Sequence, residues 1–378
     1  MDFEFTEEQQ LLADSLRKYL ANEYDFEARK AAINSPAGIS EPAWSTFAEL
    51  GLTAIPFAEA DGGFGGGAVD LMAAMEACGE ALVIEPLLDS VGLAGRLLAR
   101  TGSAAQRAAV LPGLIDGSAR LAFAYLERGR RYEVAPAATT ARNSGAGWQL
   151  DGEKLVVIGA PLAGHLLVSA RTSGNEGDAQ GVSLFLVDRS SRGVTLNAYR
   201  TVDGQRAADV RLAGVMVAAD ALVGAEGAAL PAIEEALDFA TALLCSDAVG
   251  AMRYANDATL EYLKTRKQFG MPIGSFQVLQ HRMVEMFIAC EQARSMATLA
   301  ACRVDAATDP AERMRSVSAA KVRVADAARL ISQEAIQLHG GMGMTEEMKV
   351  SHTFRRLTMI AQRFGDADHH LERYAALT

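Results

Sequence analysis

Apolar residues recur at helical spacing in the first and last thirds of the chain and at strand spacing between them. Thr6 and Gln9 have the spacing of a capping box, which predicts that the first helix begins there. Helical patterns continue to about residue 117, with connections that contain Gly and Pro. The first third is therefore predicted to be all-helical.

The middle third changes to short β-rich runs without a long helix between them. Residues 148–158 have the pattern of two strands around an Asp151-Gly152 turn, which predicts a tight hairpin. Further strands are predicted at 165–170, 182–187, 193–197 and 208–216. This succession favours an antiparallel sheet or a small barrel.

Long amphipathic patterns return in the last third. Two runs have the 4-3 spacing of a single helical face: Leu279, Met283, Met286, Cys290, Ala293 and Ala297, and then Val324, Ala328, Ile331, Ala335 and Leu338. Facing apolar stripes of this length predict a four-helix bundle.

Composition narrows the class of protein. The chain has 378 residues, 50% of them hydrophobic, and a net charge of -11. This length can bury a large core, and the acidic balance argues against nucleic-acid binding. Met1-Asp2-Phe3-Glu4 is acidic and no apolar run follows it, so we expect no signal peptide, no membrane insertion and a cytoplasmic location.

Four segments carry a resemblance to a known family. They are Arg266–Gly270, Phe276-Gln277, Gln337–Gly343 and Phe364–His370. Together they resemble acyl-CoA dehydrogenases, and most of all the small subunits of two-subunit enzymes of the pimeloyl-CoA or steroid type. The resemblance extends over essentially the whole chain.

The resemblance implies an α+β chain with the acyl-CoA dehydrogenase fold. Its parts would be an N-terminal helical domain at 1–118, a middle antiparallel β-domain or barrel at 119–225, and a C-terminal four-helix bundle at 226–378. It also implies FAD as cofactor and an acyl-CoA as substrate.

The expected cofactor-binding residues follow from the same motifs. In the family these segments contact the ADP half of a flavin held with the neighbouring subunit. Carried over, the residues are Arg266, Gln268, Phe269, Gln277, Gln337, Gly340 and Gly341. A guanidinium offers paired donors to a pyrophosphate, and glycine lets a nucleotide approach the backbone. Taken alone, the same segments would be a basic helix end and a glycine C-cap, with His339 packed inside.

The expected catalytic base is missing. In the family the position of Phe364 often carries the glutamate that removes the α-proton, and an alternative position corresponds to Ala240. Asp238 and Asp247 lie on the same predicted helix as Ala240, and surface or capping roles are expected for them. We therefore predict no catalytic residue in this chain.

Contacts to the flavin ring are also missing. Leu126 stands where the family has a threonine, the following Gly-Ser-Asp is absent, and Val156-Val157-Ile158 replaces Trp-Ile-Thr. Asp366 replaces a threonine near the pyrophosphate, where a carboxylate would repel phosphate. The losses concern the chain's own flavin site, whereas the part used by the neighbour is kept.

This asymmetry predicts FAD-dependent α,β-dehydrogenation of an acyl-CoA, with a larger homologous catalytic subunit in a heterotetramer. Three alternatives remain open: a self-sufficient homo-oligomeric dehydrogenase, a flavin monooxygenase of the same fold with relocated groups, and a non-catalytic scaffold that binds acyl-CoA or a partner.

Other motifs favour structural roles. The glycines of 62–67 follow no predicted strand, so they indicate a connection rather than a phosphate loop. Neighbouring helical residues point about 100° apart, so His369 and His370 predict a solvated or interface position rather than a metal site. Arg355 and Arg356 are expected at an interface or paired with acids. No cysteine cluster has metal-ligand spacing.

Overall fold

The computed structural model describes residues 6–135, 138–175 and 177–377. The expectation for residues 1–4 lies outside this part. Contacts group the chain into two compact units, each made from separate stretches of sequence. One unit contains the chain as far as Ala31, Gly67–Val83 and everything from Thr241 onward, and the other contains Ala32–Gly66 and Ile84–Ala240. The predicted boundaries at 118 and 225 follow the sequence order and stay a prediction.

Eleven α-helices are present among the described residues. They are α1 (Glu7–Glu23), α2 (Phe26–Asn34), α3 (Glu41–Glu49), α4 (Ala68–Ala81), α5 (Arg96–Thr101), α6 (Ala104–Ile115), α7 (Leu230–Thr265), α8 (Gln277–Ala306), α9 (Pro310–His339), α10 (Lys349–Gln362) and α11 (Ala367–Ala376). A π-helix, Leu87–Gly95, precedes α5.

Ten β-strands are also present among the described residues. They are β1 (Leu121–Ala124), β2 (Thr140–Asn143), β3 (Gly147–Ile158), β4 (His165–Arg171), β5 (Val182–Asp188), β6 (Val194–Arg200), β7 (Arg206–Ala218), β8 (Leu222–Val223), β9 (Lys267–Gln268) and β10 (Met271–Pro272).

A local signal placed the start of α1 correctly. The Thr6 hydroxyl accepts the Gln9 backbone N–H at 3.3 Å, and the Gln9 side chain accepts the Thr6 N–H at 2.9 Å. The predicted capping box is confirmed. The second predicted apolar stripe is fully buried on α9, and Met286, Cys290, Ala293 and Ala297 are buried on α8. Burial of these stripes against each other stabilises the helical bundle.

The sheet is mainly antiparallel, as predicted. Its strand order is β6-β7-β3-β2-β4-β5-β8, with β1 beside β4. The pairings of β1 and β2 with β4 are parallel, which the pattern did not predict. The core of the sheet includes Trp148 and Phe185, whose rings meet edge to face at 5.4 Å.

The predicted hairpin at Asp151-Gly152 is wrong, because β3 continues through it. The register with β7 shifts between Leu150 and Gly152, which marks a β-bulge. The Asp151 carboxylate accepts the Gly214 N–H at 2.7 Å, so the side chain satisfies a donor on the partner strand. Asp-Gly suits a bulge as well as a turn. A bulge forms here because β7 is long enough to pair with β3 on both sides of Gly152.

The glycines of 62–67 form a connection, as predicted. A short 3-10 turn, Glu59–Asp61, precedes them rather than a strand. The segment is hydrogen-bonded to its own loop, with Gly63 N–H donating to Ala58 O and Gly65 N–H to Phe57 O.

Candidate functional site

The loop between α7 and α8 presents an aromatic side chain to solvent. β9 and β10 pair antiparallel, and the two residues that join them, Phe269 and Gly270, both have positive φ (54° and 81°). Positive φ at both central positions is typical of two-residue hairpin turns, and it is unfavourable for an aromatic residue. Phe269 is 88% exposed, and its ring meets Phe276 edge to face at 6.0 Å.

The end of α9 contains three glycines with three different environments. Gly343 is packed, since a Cβ there would meet His339 and Ile336 at 2.9 Å. Gly340 has a φ of 59°, which favours glycine by conformation alone. Gly341 has neither constraint, because its φ is not positive and a Cβ would meet nothing within 4 Å. The fold of this chain therefore places no constraint on the residue at 341.

Two contacts bring these segments to the same end of the bundle. The ring of Tyr262 on α7 stacks on His339 at 4.4 Å. Arg282 on α8 pairs with Glu334 on α9, with Nε and Oε2 2.5 Å apart. His339 is buried, and its Nδ1 lies 2.8 Å from Ala335 O, so this nitrogen is the donor. The packed role expected for His339 is confirmed.

We call the seven expected cofactor residues the helix-end surface. All seven are exposed in this chain: Arg266, Gln268, Phe269, Gln277, Gln337, Gly340 and Gly341. The Gln268 side-chain amide donates to Lys267 O at 2.9 Å. These groups are suited to a nucleotide. A guanidinium and carboxamides can bind its phosphates, and an aromatic ring and a glycine backbone can lie against its base.

Two buried side chains bind the turn between α10 and α11. Residues 363–366 form this closed turn, in which Phe364 has a φ of 59° and Gly365 a φ of 119°. Lys321 Nζ donates to Gly365 O at 2.6 Å, and His370 Nε2 lies 3.1 Å from Phe364 O. Consecutive carbonyl oxygens are therefore bound by two buried side chains.

The surroundings of Lys321 and His370 determine the protonation state of each side chain. Burial lowers the pKa of Lys321 to about 8, against the opposing influence of Cys245 and Asp366. Burial, together with the nearby Lys321 charge, lowers the pKa of His370 to about 2. His370 is thus neutral at pH 7. Its Nε2 donates to Phe364 O, and its Nδ1 accepts from the Ser318 hydroxyl at 3.3 Å.

His370 was expected in a solvated or interface position, and this is wrong, since it is 1% exposed. Lys321 was missed altogether. One signal could have revealed it: Val317, Lys321 and Val324 share an otherwise apolar face of α9.

Asp247 was expected at the surface or as a cap, and the structure corrects this. Asp247 is 2% exposed and pairs with Arg356 of α10 at 2.7 Å. Arg356 also donates to Val83 O at 2.9 Å. Asp238 is likewise buried, at 1% exposure. A carboxylate that is already bound to a buried guanidinium is a poor base, because proton uptake would break the ion pair.

The pairing of the two adjacent arginines with acids is confirmed. Arg356 binds Asp247, and Arg355 binds Glu346.

In the other unit, a buried ion pair supports the segment that contains Leu126. Lys154 Nζ lies 2.5 Å from Glu127 Oε1 and 3.1 Å from the Ser169 hydroxyl. Burial acts to raise the pKa of Glu127, but the Lys154 charge holds it below its usual value. Leu155 N–H donates to Leu126 O at 2.8 Å. The backbone of this segment is well fixed, although Leu126 itself brings no hydroxyl.

Val156 adopts a strained conformation. Its φ is 50°, an outlier for a β-branched residue, and its side chain is 41% exposed. Its N–H donates to Asp209 at 3.1 Å, and the same carboxylate oxygen accepts the Tyr199 hydroxyl at 2.9 Å. Val157 and Ile158 are buried, so Val156 alone of the three presents its side chain outward.

Three domain models of one family match the chain in sequence order. They are the N-terminal domain of acyl-CoA dehydrogenase at 6–118, the middle domain at 122–215 and the C-terminal domain at 227–376. The chain belongs to the acyl-CoA dehydrogenase family. The predicted acyl-CoA dehydrogenase fold and the predicted class, an oxidoreductase acting on CH–CH bonds, are confirmed.

Individual relatives span nearly the whole chain. The acyl-CoA dehydrogenase FadE12 of Mycobacterium tuberculosis is 32% identical over 94% of this chain and 92% of its own length. The ChsE4-ChsE5 complex of Mycobacterium tuberculosis has a TM-score of 0.89 at 27% identity, covering 100% of this chain and 98% of that one. A FAD complex of PigA has a TM-score of 0.90 at 24% identity, with the same coverage, and shares the fold.

FAD, the expected cofactor, is bound in the PigA complex, which shares the fold of this chain. Within the described ranges, no group of three or more His, Cys, Asp or Glu side chains could hold a metal ion. No described helix is long and apolar enough to cross a membrane.

Proposed function

We propose that this chain is the base-lacking subunit of a heteromeric acyl-CoA dehydrogenase. Its helix-end surface would hold the ADP half of a FAD that is shared with a larger homologous subunit. The observation that carries the proposal is the exposure of all seven helix-end residues together, on a surface where the space around Gly341 is open.

The surroundings of this surface support coverage by a protein. Phe269 is 88% exposed, and α8, which starts beside it, exposes Val278 by 65%, Val284 by 54% and Phe287 by 59%. Large apolar side chains exposed along one helix typically mark a contact with another subunit. The similarity to the ChsE4-ChsE5 complex also supports a partner that is a different chain.

The chemistry requires a base that this chain does not place at the expected positions. The thioester carbonyl acidifies the α-proton of an acyl-CoA, and a carboxylate of suitable pKa must remove it. Phe364 and Ala240 cannot do so, and Asp247 is bound to Arg356. When bound, FAD would supply the acceptor for the β-hydride. The base is therefore assigned to the partner subunit.

The role of this chain would be binding and orientation. Arg266 would neutralise the pyrophosphate, Gln268, Gln277 and Gln337 would add hydrogen bonds, and Phe269 would pack on the nucleotide. Gly340 and Gly341 would let the cofactor reach the backbone.

Flavin retention in the purified two-subunit complex tests the proposal. Arg266→Ala should weaken FAD binding by roughly tenfold to a hundredfold, the value of one charge-assisted hydrogen bond. Lys267→Ala is the matched control, because it removes an equally exposed cation from the next position. Equal flavin content in wild type and Arg266→Ala would contradict the proposal. An equal loss of flavin in Arg266→Ala and Lys267→Ala would also contradict it, because the loss would then follow from surface charge in general.

A further inference from the structure

Lys349, the first residue of α10, has an amine without a hydrogen-bond acceptor. Its Nζ lies over the ring of Tyr254 on α7, 4.0 Å from the ring centre. The side chain is half-buried, and among the described residues its Nζ has neither a hydrogen bond nor an ion pair. An ammonium group in such a place has lost part of its water and received no carboxylate or carbonyl oxygen in return, which costs free energy.

The surroundings of this amine favour its neutral form. Burial lowers the pKa of Lys349 to about 8, and the nearby charge of Arg29 acts in the same direction, whereas Glu80 opposes them. The amine also lies at the start of α10, where the helix dipole disfavours a cation and the N-cap, Met348, provides no side-chain cap. The Tyr254 ring favours the charged form by a smaller amount. A sizeable fraction of Lys349 is therefore a free amine near neutral pH.

Access from solvent distinguishes Lys349 from the two other lysines with a lowered pKa. Lys154 and Lys321 also have pKa values of about 8, but both are 0% exposed and are bound to Glu127 and to Gly365 O. A lysine acts as a nucleophile when its amine is desolvated or close to another cation and can still be reached. Lys349 meets all of these conditions.

We propose that Lys349 is a modification site, at which its Nζ takes the acyl group from an acyl-CoA thioester. The Nζ lone pair attacks the thioester carbonyl carbon, the C–S bond breaks, and the CoA thiolate leaves and takes up the proton that Nζ loses. The products are an amide on Lys349 and free CoA thiol, so the step needs no oxidant or further reactant. The inference rests on the proposed function only for the presence of acyl-CoA, and it uses no residue of the helix-end surface.

Acetyl-CoA added to the isolated full-length chain tests the inference. The acetylated fraction of each lysine is measured by mass spectrometry against time, at several pH values from 7 to 10. The internal reference is Lys264, which is exposed and has Glu261 2.7 Å from its Nζ. At pH 8 about half of the Lys349 amine is neutral, against about 1 in 250 for a lysine of ordinary pKa, so we expect it to react at least about tenfold faster than Lys264. Its rate should level off above about pH 8, whereas the rate of an ordinary lysine increases up to about pH 10.5.

Glu80→Gln tests whether the surroundings of the amine set this reactivity. The change keeps the shape of the side chain and removes the charge that raises the pKa of Lys349. At pH 7 the acetylation of Lys349 should become about two- to threefold faster, and that of Lys264 in the same sample should stay the same.

Three results would overturn the inference. They are equal rates at Lys349 and Lys264 at pH 8, a parallel increase of both rates up to pH 10, and an unchanged rate at Lys349 in Glu80→Gln. Because the assay needs neither FAD nor a partner subunit, its failure leaves the Arg266→Ala result in the complex unaffected. Failure of the proposed function would instead appear only in that complex.

Discussion

Two Phe-Gly pairs in this chain have similar backbone φ angles but differ in burial. Phe269-Gly270 and Phe364-Gly365 both have positive φ at both residues. Phe269 projects into solvent, and a Cβ on Gly270 would meet nothing within 4 Å. Phe364 lies half-buried with Arg363 stacked on its ring at 4.6 Å, and Gly365 is packed against two histidine rings.

The difference shows what holds each strained turn in place. Positive φ costs an ordinary residue about 1–2 kcal/mol. At the closed turn, Lys321 and His370 offset this cost from within the chain. At the helix-end surface the short β9–β10 pairing is the support, and the exposed ring is available to another molecule. One turn serves the stability of the chain, and the other is suited to binding.

The largest expected effect is on the helix that leads into the closed turn. Asp247→Ala would leave Arg356 buried without its carboxylate, so the free energy of unfolding should fall by about 3–5 kcal/mol. Asp257→Ala, at an exposed position of α7, the helix that also carries Asp247, should change the free energy of unfolding by less than about 0.5 kcal/mol. Urea unfolding measures both. A small effect of Asp247→Ala would mean that internal contacts do not fix this region.

A second change tests the buried donor beneath the closed turn. Lys321→Met removes the donor to Gly365 O and Ala361 O, so we expect a loss of about 1–3 kcal/mol at pH 7. The exposed control Lys264→Met should have little effect.

The difference in stability between the wild type and Lys321→Met should depend on pH. The folded pKa of Lys321 is about 8, below the ordinary lysine value of 10.5. Between these values the unfolded chain keeps a proton that the folded chain has lost, so the stability of the wild type rises with pH. The difference between wild type and Lys321→Met should therefore widen from pH 8 to 10.5. A constant difference would contradict the assigned environment of Lys321.

Acid should act on the closed turn through His370. Its folded pKa of about 2 lies below the ordinary histidine value of 6.5, so its neutral form stabilises the fold above pH 6.5. That stability is lost as the pH falls toward 2, by up to about 1.4 kcal/mol per pH unit. His370→Gln keeps an amide donor for Phe364 O and cannot titrate, so unfolding measured from pH 7 to 4 should show a shallower slope. His370→Leu lacks the donor and should be less stable even at pH 7. An unchanged acid slope in His370→Gln would count against this assignment.

The smallest expected change in stability comes from replacing the two phenylalanines in turn. Phe269→Asn should stabilise the chain by about 0.5–1 kcal/mol, because asparagine tolerates positive φ and Asn-Gly favours this hairpin turn. The same change should weaken flavin retention in the complex. Phe364→Asn relieves the same strain but loses the packing of a half-buried ring, so thermal unfolding should show a net destabilisation of about 1 kcal/mol. Equal responses at both positions would remove the contrast between the turns.

Sequence patterns predicted what depends on periodicity and local chemistry. The apolar stripe of α9 and the capping box at Thr6 were found because spacing determines both. The bulge at Gly152 was mistaken for a turn because both use the same residues. The helix-end residues were predicted from motifs, and their role in cofactor binding stays a prediction. The Tyr262–His339 stack, a contact distant in sequence, brings their segments to the same end of the bundle. Lys321 was missed, although its place between Val317 and Val324 on an apolar face of α9 is a signal of burial. His370 was wrongly placed in a solvated or interface position, because its burial depends on contacts distant in sequence.

The most direct measurement is the ratio of flavin to protein for this chain, purified alone and with a co-expressed large subunit. We predict a colourless chain alone and one FAD per pair of subunits in the complex. One FAD per chain without a partner, reduced on addition of an acyl-CoA, would contradict the account, because the chain would then hold its own flavin and its own base.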